Sequence, residues 1–102
     1  ALRLHFAGGG VFLDAREIEE FHAGHVQGAI NIPPGTESIR LEELDSDLRS
    51  ARYIVCYCAG IRCDAAARLA DLLAEEGHEN VLLMFEGWEA WIEAGHPTSL
   101  KR

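Results

Sequence analysis

The chain is short of positive charge. Nine Lys and Arg stand against 17 Asp and Glu, for a formal net charge of -8. Nucleic acid and anionic membrane both reward positive charge, so neither is expected as a partner. The same deficit disfavours long-range steering of an anionic substrate, and any anion site must be made locally. Long apolar runs are also missing. None approaches the about 18 residues of a membrane-spanning helix, so no membrane contact is expected of this domain. The opening ALRLHFAGGG has neither the apolar region nor the cleavage site of a signal peptide, and no initiator Met. The chain therefore reads as a processed product or as a domain of something longer, and the expected compartment is the cytoplasm. Repeats, low-complexity tracts and linkers are absent, and the 102 residues suit one domain, 1–102. Cysteine is scarce. There are three, an odd number, all between positions 56 and 63. That is a poor disulfide framework and a better candidate for a site.

What is present alternates between two patterns. VFLDAR (11–16) reads as a buried strand after three glycines, and 16–24 as a short helix with acids in its first turn and Gly24 at its end. GAINIPP (28–34) reads as a second short strand that Pro33 and Pro34 terminate. Residues 36–50 are polar with Ile39, Leu41, Leu44 and Leu48, a loop and then a helix. YIVCY (53–57) is the clearest strand, and it alternates little, as a strand covered on both faces should. Residues 63–76 form a helix whose Ala66, Leu69, Ala70 and Leu73 follow the i, i+3, i+4, i+7 spacing, with Gly77 as its stop. NVLLMF (80–85) is expected to be another central strand. Residues 87–97 make a short helix with Trp88 and Trp91 on one side. Strands alternating with helices imply a parallel sheet covered on both faces, with ligands outside the carboxyl ends of the strands. Cys58 sits at such an end.

The loop CAGIRC (58–63) carries the chemistry. A cysteine reacts as its thiolate, which a helix N-terminus, nearby cations or inward-pointing amides stabilise. Gly60 permits a tight turn that would aim the amides of residues 59–63 at the sulfur. The helix starting near Cys63 adds its positive end, and Arg62 adds a permanent cation. The expectation is an activated, exposed Cys58 thiolate in a small anion cradle of Ala59, Gly60, Ile61, Arg62 and Cys63.

At this point the chain resembles a family. FLDAREIEEFHAGHVQGAINIP resembles the first signature of a single rhodanese domain, YIVCYCAGIRCDAAARLADLL its active-site strand, loop and helix, and VLLMFEGWEAWIEAGHP its closing strand and Gly-x-x-x-Trp helix. The resemblance runs from Val11 to Pro97. It implies an α/β fold, a three-layer α/β/α sandwich around a mostly parallel central sheet. It implies a sulfurtransferase in which the matching cysteine, Cys58, takes sulfane sulfur from a small donor as a persulfide. The sulfur passes to a thiol, cyanide or protein acceptor, without metal or cofactor. The commonest family pattern places an arginine five positions after the cysteine. Here that position is Cys63, with Arg62 one place earlier, so the loop is a Cys-x-Gly-x-x-Cys variant and thiosulfate need not be the donor. The family's phosphatase relatives have Arg one position further on, where this chain has Asp64, so phosphatase activity is not expected.

Other residues read more plainly. Cys56 lies mid-strand and is expected to be an inert core thiol. Cys63 is open between a first-turn scaffold residue and a second redox thiol able to resolve a persulfide on Cys58. Asp14, Arg16 and His25, which match the first signature, are read as structural, with acid–base catalysis the alternative for His25. The tryptophans are read as packing, and Glu17, Glu19 and Glu20 as a solvated helix face. A metal site from the three cysteines and a histidine lacks the usual paired spacing. Two functional classes remain beside each other: a sulfur-transferring enzyme, and a protein-binding or redox-sensing module with little turnover.

Overall fold

The structure, a computed structural model, describes residues 9–60, 63–84 and 87–99. Two of its longest strands lie side by side. β1 (Gly10–Asp14) and β4 (Tyr53–Tyr57) pair in parallel from Gly10 opposite Tyr53 to Asp14 opposite Tyr57. β3 (Ile30–Asn31) adds in parallel to the free side of β1, and β5 (Val81–Leu83) to the free side of β4, giving the order β3-β1-β4-β5. β2 (His25–Val26) and β6 (Thr98–Ser99) form a separate antiparallel pair.

Side chains alternate across a strand, so the central pair feeds two cores. Leu13, Ile54 and Cys56 point to one face and meet Leu41, Leu48, Leu69 and Leu73. These come from α2 (Glu37–Glu43), α3 (Asp45–Ser50) and α4 (Ala65–Glu75). Phe12, Val55 and Tyr57 point to the other and meet Phe21 of α1 (Ile18–Ala23) and Trp91 of α5 (Gly87–Glu93). Helices therefore cover both faces of a parallel sheet, the expected three layers. Truncating Leu69 or Leu73, both almost fully buried, to Ala removes about 2–5 kcal/mol each.

Several expected boundaries move. The sheet's 80–85 strand is Val81–Leu83, and it is an edge strand rather than a central one, with Leu82 43% and Leu83 41% exposed. The expectation that it is covered on both faces fails. An apolar run reports burial propensity and cannot say which neighbour is missing. Phe85 lies outside the described residues. The 36–50 segment is two short helices that meet at Leu44, and Ile39 faces solvent at 65% exposure. The 28–34 strand shrinks to two residues, because Ala29 N–H closes a turn onto the Val26 carbonyl before it. Glu17 and Glu20 do more than solvate a face, since the Glu17 amide donates to Glu20 Oε1 at 3.2 Å and closes the N-terminus of α1. Among the described residues, no helix is long and apolar enough to cross a membrane.

Candidate active site

Cys58 follows β4 directly, at the carboxyl end of the parallel sheet, where the sequence places it. The strand holding it is pinned from beneath. Asp14 ends β1 and is fully buried. Its carboxylate accepts from the Arg16 amide at 2.9 Å, from Arg16 Nε at 3.0 Å and Nη2 at 2.7 Å, and from the Tyr57 hydroxyl at 2.6 Å. Arg16 also donates to the Gly24 carbonyl and stacks its guanidinium 4.7 Å from the centre of the Trp88 ring. Arg16 is held charged by Asp14, against a burial that disfavours charge. The Tyr57 hydroxyl accepts from the Val26 amide, and burial with the Asp14 charge beside it raises its pKa. Asp14 and Arg16 are thus structural, as read from the sequence. His25, in β2, is 3% exposed, stacks on Phe21 at 3.7 Å and bonds its Nδ1 to the Phe21 carbonyl at 2.8 Å, which makes it part of the core.

The loop after Cys58 is clamped by α5. The Trp88 amide donates to the Cys58 carbonyl at 2.8 Å and the Glu89 amide to the Ala59 carbonyl at 3.0 Å. Gly87 makes this approach possible. Its φ is +74°, and a Cβ there would lie 2.7 Å from the Cys58 carbonyl oxygen and 2.9 Å from the Gly60 nitrogen. The sequence shows Gly87 only as the start of a Gly-x-x-x-Trp pattern; its contact with the cysteine loop is long-range and leaves no local signal.

Cys63 lies close to Cys58. The Cys63 amide donates to the Gly60 carbonyl at 3.1 Å, a turn that folds residue 63 back over the strand end. The Cys58–Cys63 Cα distance is 6.3 Å, within the range of disulfides, and the two sulfurs are bonded. Cys58 Sγ also lies 3.4 Å from the Cys63 carbonyl oxygen, a donor–acceptor distance for the reduced thiol. Helix α4 begins at Ala65 rather than near 63, so Cys63 stands outside the helix and turns toward Cys58. Two expectations are corrected. Cys58 is buried at 3% exposure rather than exposed, with its sulfur bonded to Cys63. The Cys63 amide is used by the turn rather than aimed at an anion. Ala59 and Gly60 are half-buried and line the turn. Ile61 and Arg62, expected to bind substrate, lie outside the described residues.

A hollow of about 140 Å³ opens beside the pair, lined by Cys58, Gly60, Cys63, Asp64, Ala66, Ala67, Leu83 and Met84. Asp64 stands at its mouth with its side chain 80% exposed and bonded to Arg68 at 2.6 Å. A larger depression of about 560 Å³ lies on the outer side of β3 beside Phe21, Asn31 and Arg40. Its lining includes no cysteine. Cys56 is fully buried in the sheet, and desolvation pushes its thiol from 9.0 up to about 12. Its burial within the sheet matches the core thiol read from the sequence.

Comparison with known proteins places this geometry. The rhodanese-like domain model matches residues 1–94. The HTH-type transcriptional regulator Rv0324 of Mycobacterium tuberculosis is 40% identical over 96 residues, covering 94% of this chain and 40% of the regulator. A thiosulfate sulfurtransferase GlpE of Haemophilus influenzae is 30% identical over 87% of this chain and 79% of its own length. The crystal structure of a Rhodanese_3-like domain from Anabaena superposes with a TM-score of 0.74 at 29% identity, over 90% of this chain and 93% of that one. The chain spans about half or less of the first curated relatives it matches.

Proposed function

This chain belongs to the rhodanese-like domain family, and we propose that it is a sulfurtransferase working through Cys58. The observation that carries the proposal is a cysteine at the carboxyl end of a central parallel strand, opening on a small hollow. In the reduced protein the Cys58 thiolate attacks the sulfane sulfur of a donor. With thiosulfate the sulfur–sulfur bond breaks and sulfite leaves with the electron pair, so Cys58 becomes a persulfide. A thiophilic acceptor then attacks the outer sulfur, takes it, and returns Cys58 to the thiolate. With cyanide the product is thiocyanate. The donor is a small sulfur compound; a thiol, cyanide or a protein thiol is the acceptor. The thiosulfate sulfurtransferase relative supports this class of reaction. The hollow supports a small donor, because about 140 Å³ holds only a few heavy atoms.

The test is mass spectrometry of the reduced protein after exposure to thiosulfate, a polysulfide and an organic thiosulfonate. A gain of one sulfur on Cys58, absent in Cys58→Ser, is expected. No gain with any of the three donors defeats the proposal. A second reading is a sensing module with little turnover. The match to part of a transcriptional regulator and the Cys58–Cys63 bond favour it. It predicts loading of Cys58 with thiocyanate formation no faster than the uncatalysed reaction.

A further inference from the structure

We propose that Cys63 is a second catalytic thiol. It resolves the Cys58 persulfide by forming the Cys58–Cys63 disulfide and expelling the outer sulfur as hydrosulfide. This rests on the sulfurtransferase reading of Cys58 and adds to it a reductive, sulfide-releasing activity of the same site.

The two residues lie within reach of each other. Two cysteines bridge only when their Cα atoms and side-chain directions allow it. Here the Cα separation is 6.3 Å and the two sulfurs are bonded. The Gly60–Cys63 turn sets that reach, and the start of α4 at Ala65 leaves Cys63 outside the helix. A thiol held in this way faces the inner sulfur of a Cys58 persulfide, the atom to which it is bonded in the oxidised form.

The step balances. The Cys63 thiolate attacks Sγ of Cys58, a sulfur–sulfur bond forms between the two residues, and the Cys58–outer sulfur bond breaks. The electron pair leaves with the outer sulfur as hydrosulfide once a proton is taken from water. The sulfane sulfur is reduced by two electrons and the two cysteines together are oxidised by two. A second turnover requires a dithiol reductant to reopen the disulfide by exchange. The leaving sulfur is a single heavy atom, and the adjoining hollow, walled by Ala66, Ala67, Leu83 and Met84, has room for it. No other described cysteine competes, since Cys56 is sealed in the sheet.

The test is a single turnover. Reduced protein, freed of reductant, is loaded with thiosulfate or an aromatic thiosulfonate, whose own leaving groups are sulfite and sulfinate rather than sulfide. Sulfide is measured by trapping, and peptides are mapped without reduction. The wild type is expected to release sulfide in amounts approaching one per chain and to yield the 58–63 crosslink. Cys63→Ser and Cys63→Ala are expected to keep the extra sulfur on Cys58 and release no sulfide. If the wild type loads Cys58 and holds the persulfide for hours without crosslink or sulfide, the resolving role is wrong while the sulfurtransferase reading stands. If Cys58 takes up no sulfur in the wild type or in either variant, both fall.

Discussion

Replacing Asp14 with Asn is the sharpest test of how the site is held. The change keeps the shape of the side chain and removes its charge. In the protein the carboxylate is fully buried and accepts from Arg16 and from the Tyr57 hydroxyl. An amide has one acceptor oxygen, so either the Arg16 fork or the Tyr57 hydroxyl meets an N–H instead. The guanidinium then loses the charge opposite it, keeping the Gly24 carbonyl and the faces of Trp88 and Tyr57 beside it. Removing one member of a buried pair costs about 3–5 kcal/mol, because the other charge remains desolvated. A domain of this size holds only about 5–15 kcal/mol in total, so Asp14→Asn should lower Tm by about 15 °C or more. Tyr57→Phe removes one hydrogen bond to the carboxylate and leaves the Val26 amide without its partner, a loss of about 1.5–3 kcal/mol. The two changes share Asp14, so the double variant should be less damaged than the sum of the singles. Urea unfolding followed by tryptophan fluorescence reads all three, since Trp88 lies against Arg16. An Asp14→Asn loss below about 1 kcal/mol, or strict additivity with Tyr57→Phe, would refute the view that this cluster ties β1 to β4 below Cys58.

Gly87→Ala should cost about 1–3 kcal/mol, from a positive φ and a Cβ 2.7 Å from the Cys58 carbonyl oxygen. It should also slow sulfur uptake by Cys58, read by mass spectrometry. Unchanged uptake would mean that the α5 clamp does not position the loop. The Cys56 thiol, raised from 9.0 to about 12, contributes stability that is complete below the unfolded thiol's pKa and is lost as pH rises toward 12. Unfolding midpoints should therefore fall between pH 9 and 12. Cys56→Val should blunt that fall, and iodoacetamide should not label Cys56 at neutral pH without denaturant. Asp64→Asn removes an exposed negative charge at the mouth of the hollow. It should raise kcat/KM for thiosulfate by about 2–5-fold at low salt, less at high salt, and leave an uncharged donor unaffected.

The parts of this fold legible in the sequence are those whose signal is local. YIVCY reads as a covered strand because five consecutive positions lack a polar face, and the structure buries its last four residues. Helix α4 is legible as a helix, though not its start, because Ala66, Leu69 and Leu73 repeat at helical spacing, and all three are buried. What escaped was decided between distant segments. β5 looks central, since Val81–Leu83 is apolar throughout, yet it takes an edge because no described strand pairs with its outer side. β2 and β6 are two residues each, too short for any periodicity, and exist because His25 and Val26 meet Ser99 and Thr98.

The candidate site divides in the same way. Cys58 was legible because a strand end, a glycine and a helix follow one another within a dozen residues. Whether Cys63 meets it was not, because the decision turns on where α4 begins. A helix starting at 63 would fix residue 63 in its first turn; the helix starts at Ala65, and the two freed residues let the Gly60–Cys63 turn close. A shift of two residues at a helix end therefore separates two chemistries. With Cys63 held in the helix, a persulfide on Cys58 waits for an outside acceptor. With Cys63 turned inward, it has a resolving thiol within reach before any other molecule arrives. The net flow of sulfur then depends on whether the outside acceptor or Cys63 reacts first. That competition is measurable. Raising cyanide should move the products of a single turnover from sulfide to thiocyanate in proportion to its concentration, and a product ratio independent of cyanide would show that the two thiols do not compete for the same persulfide.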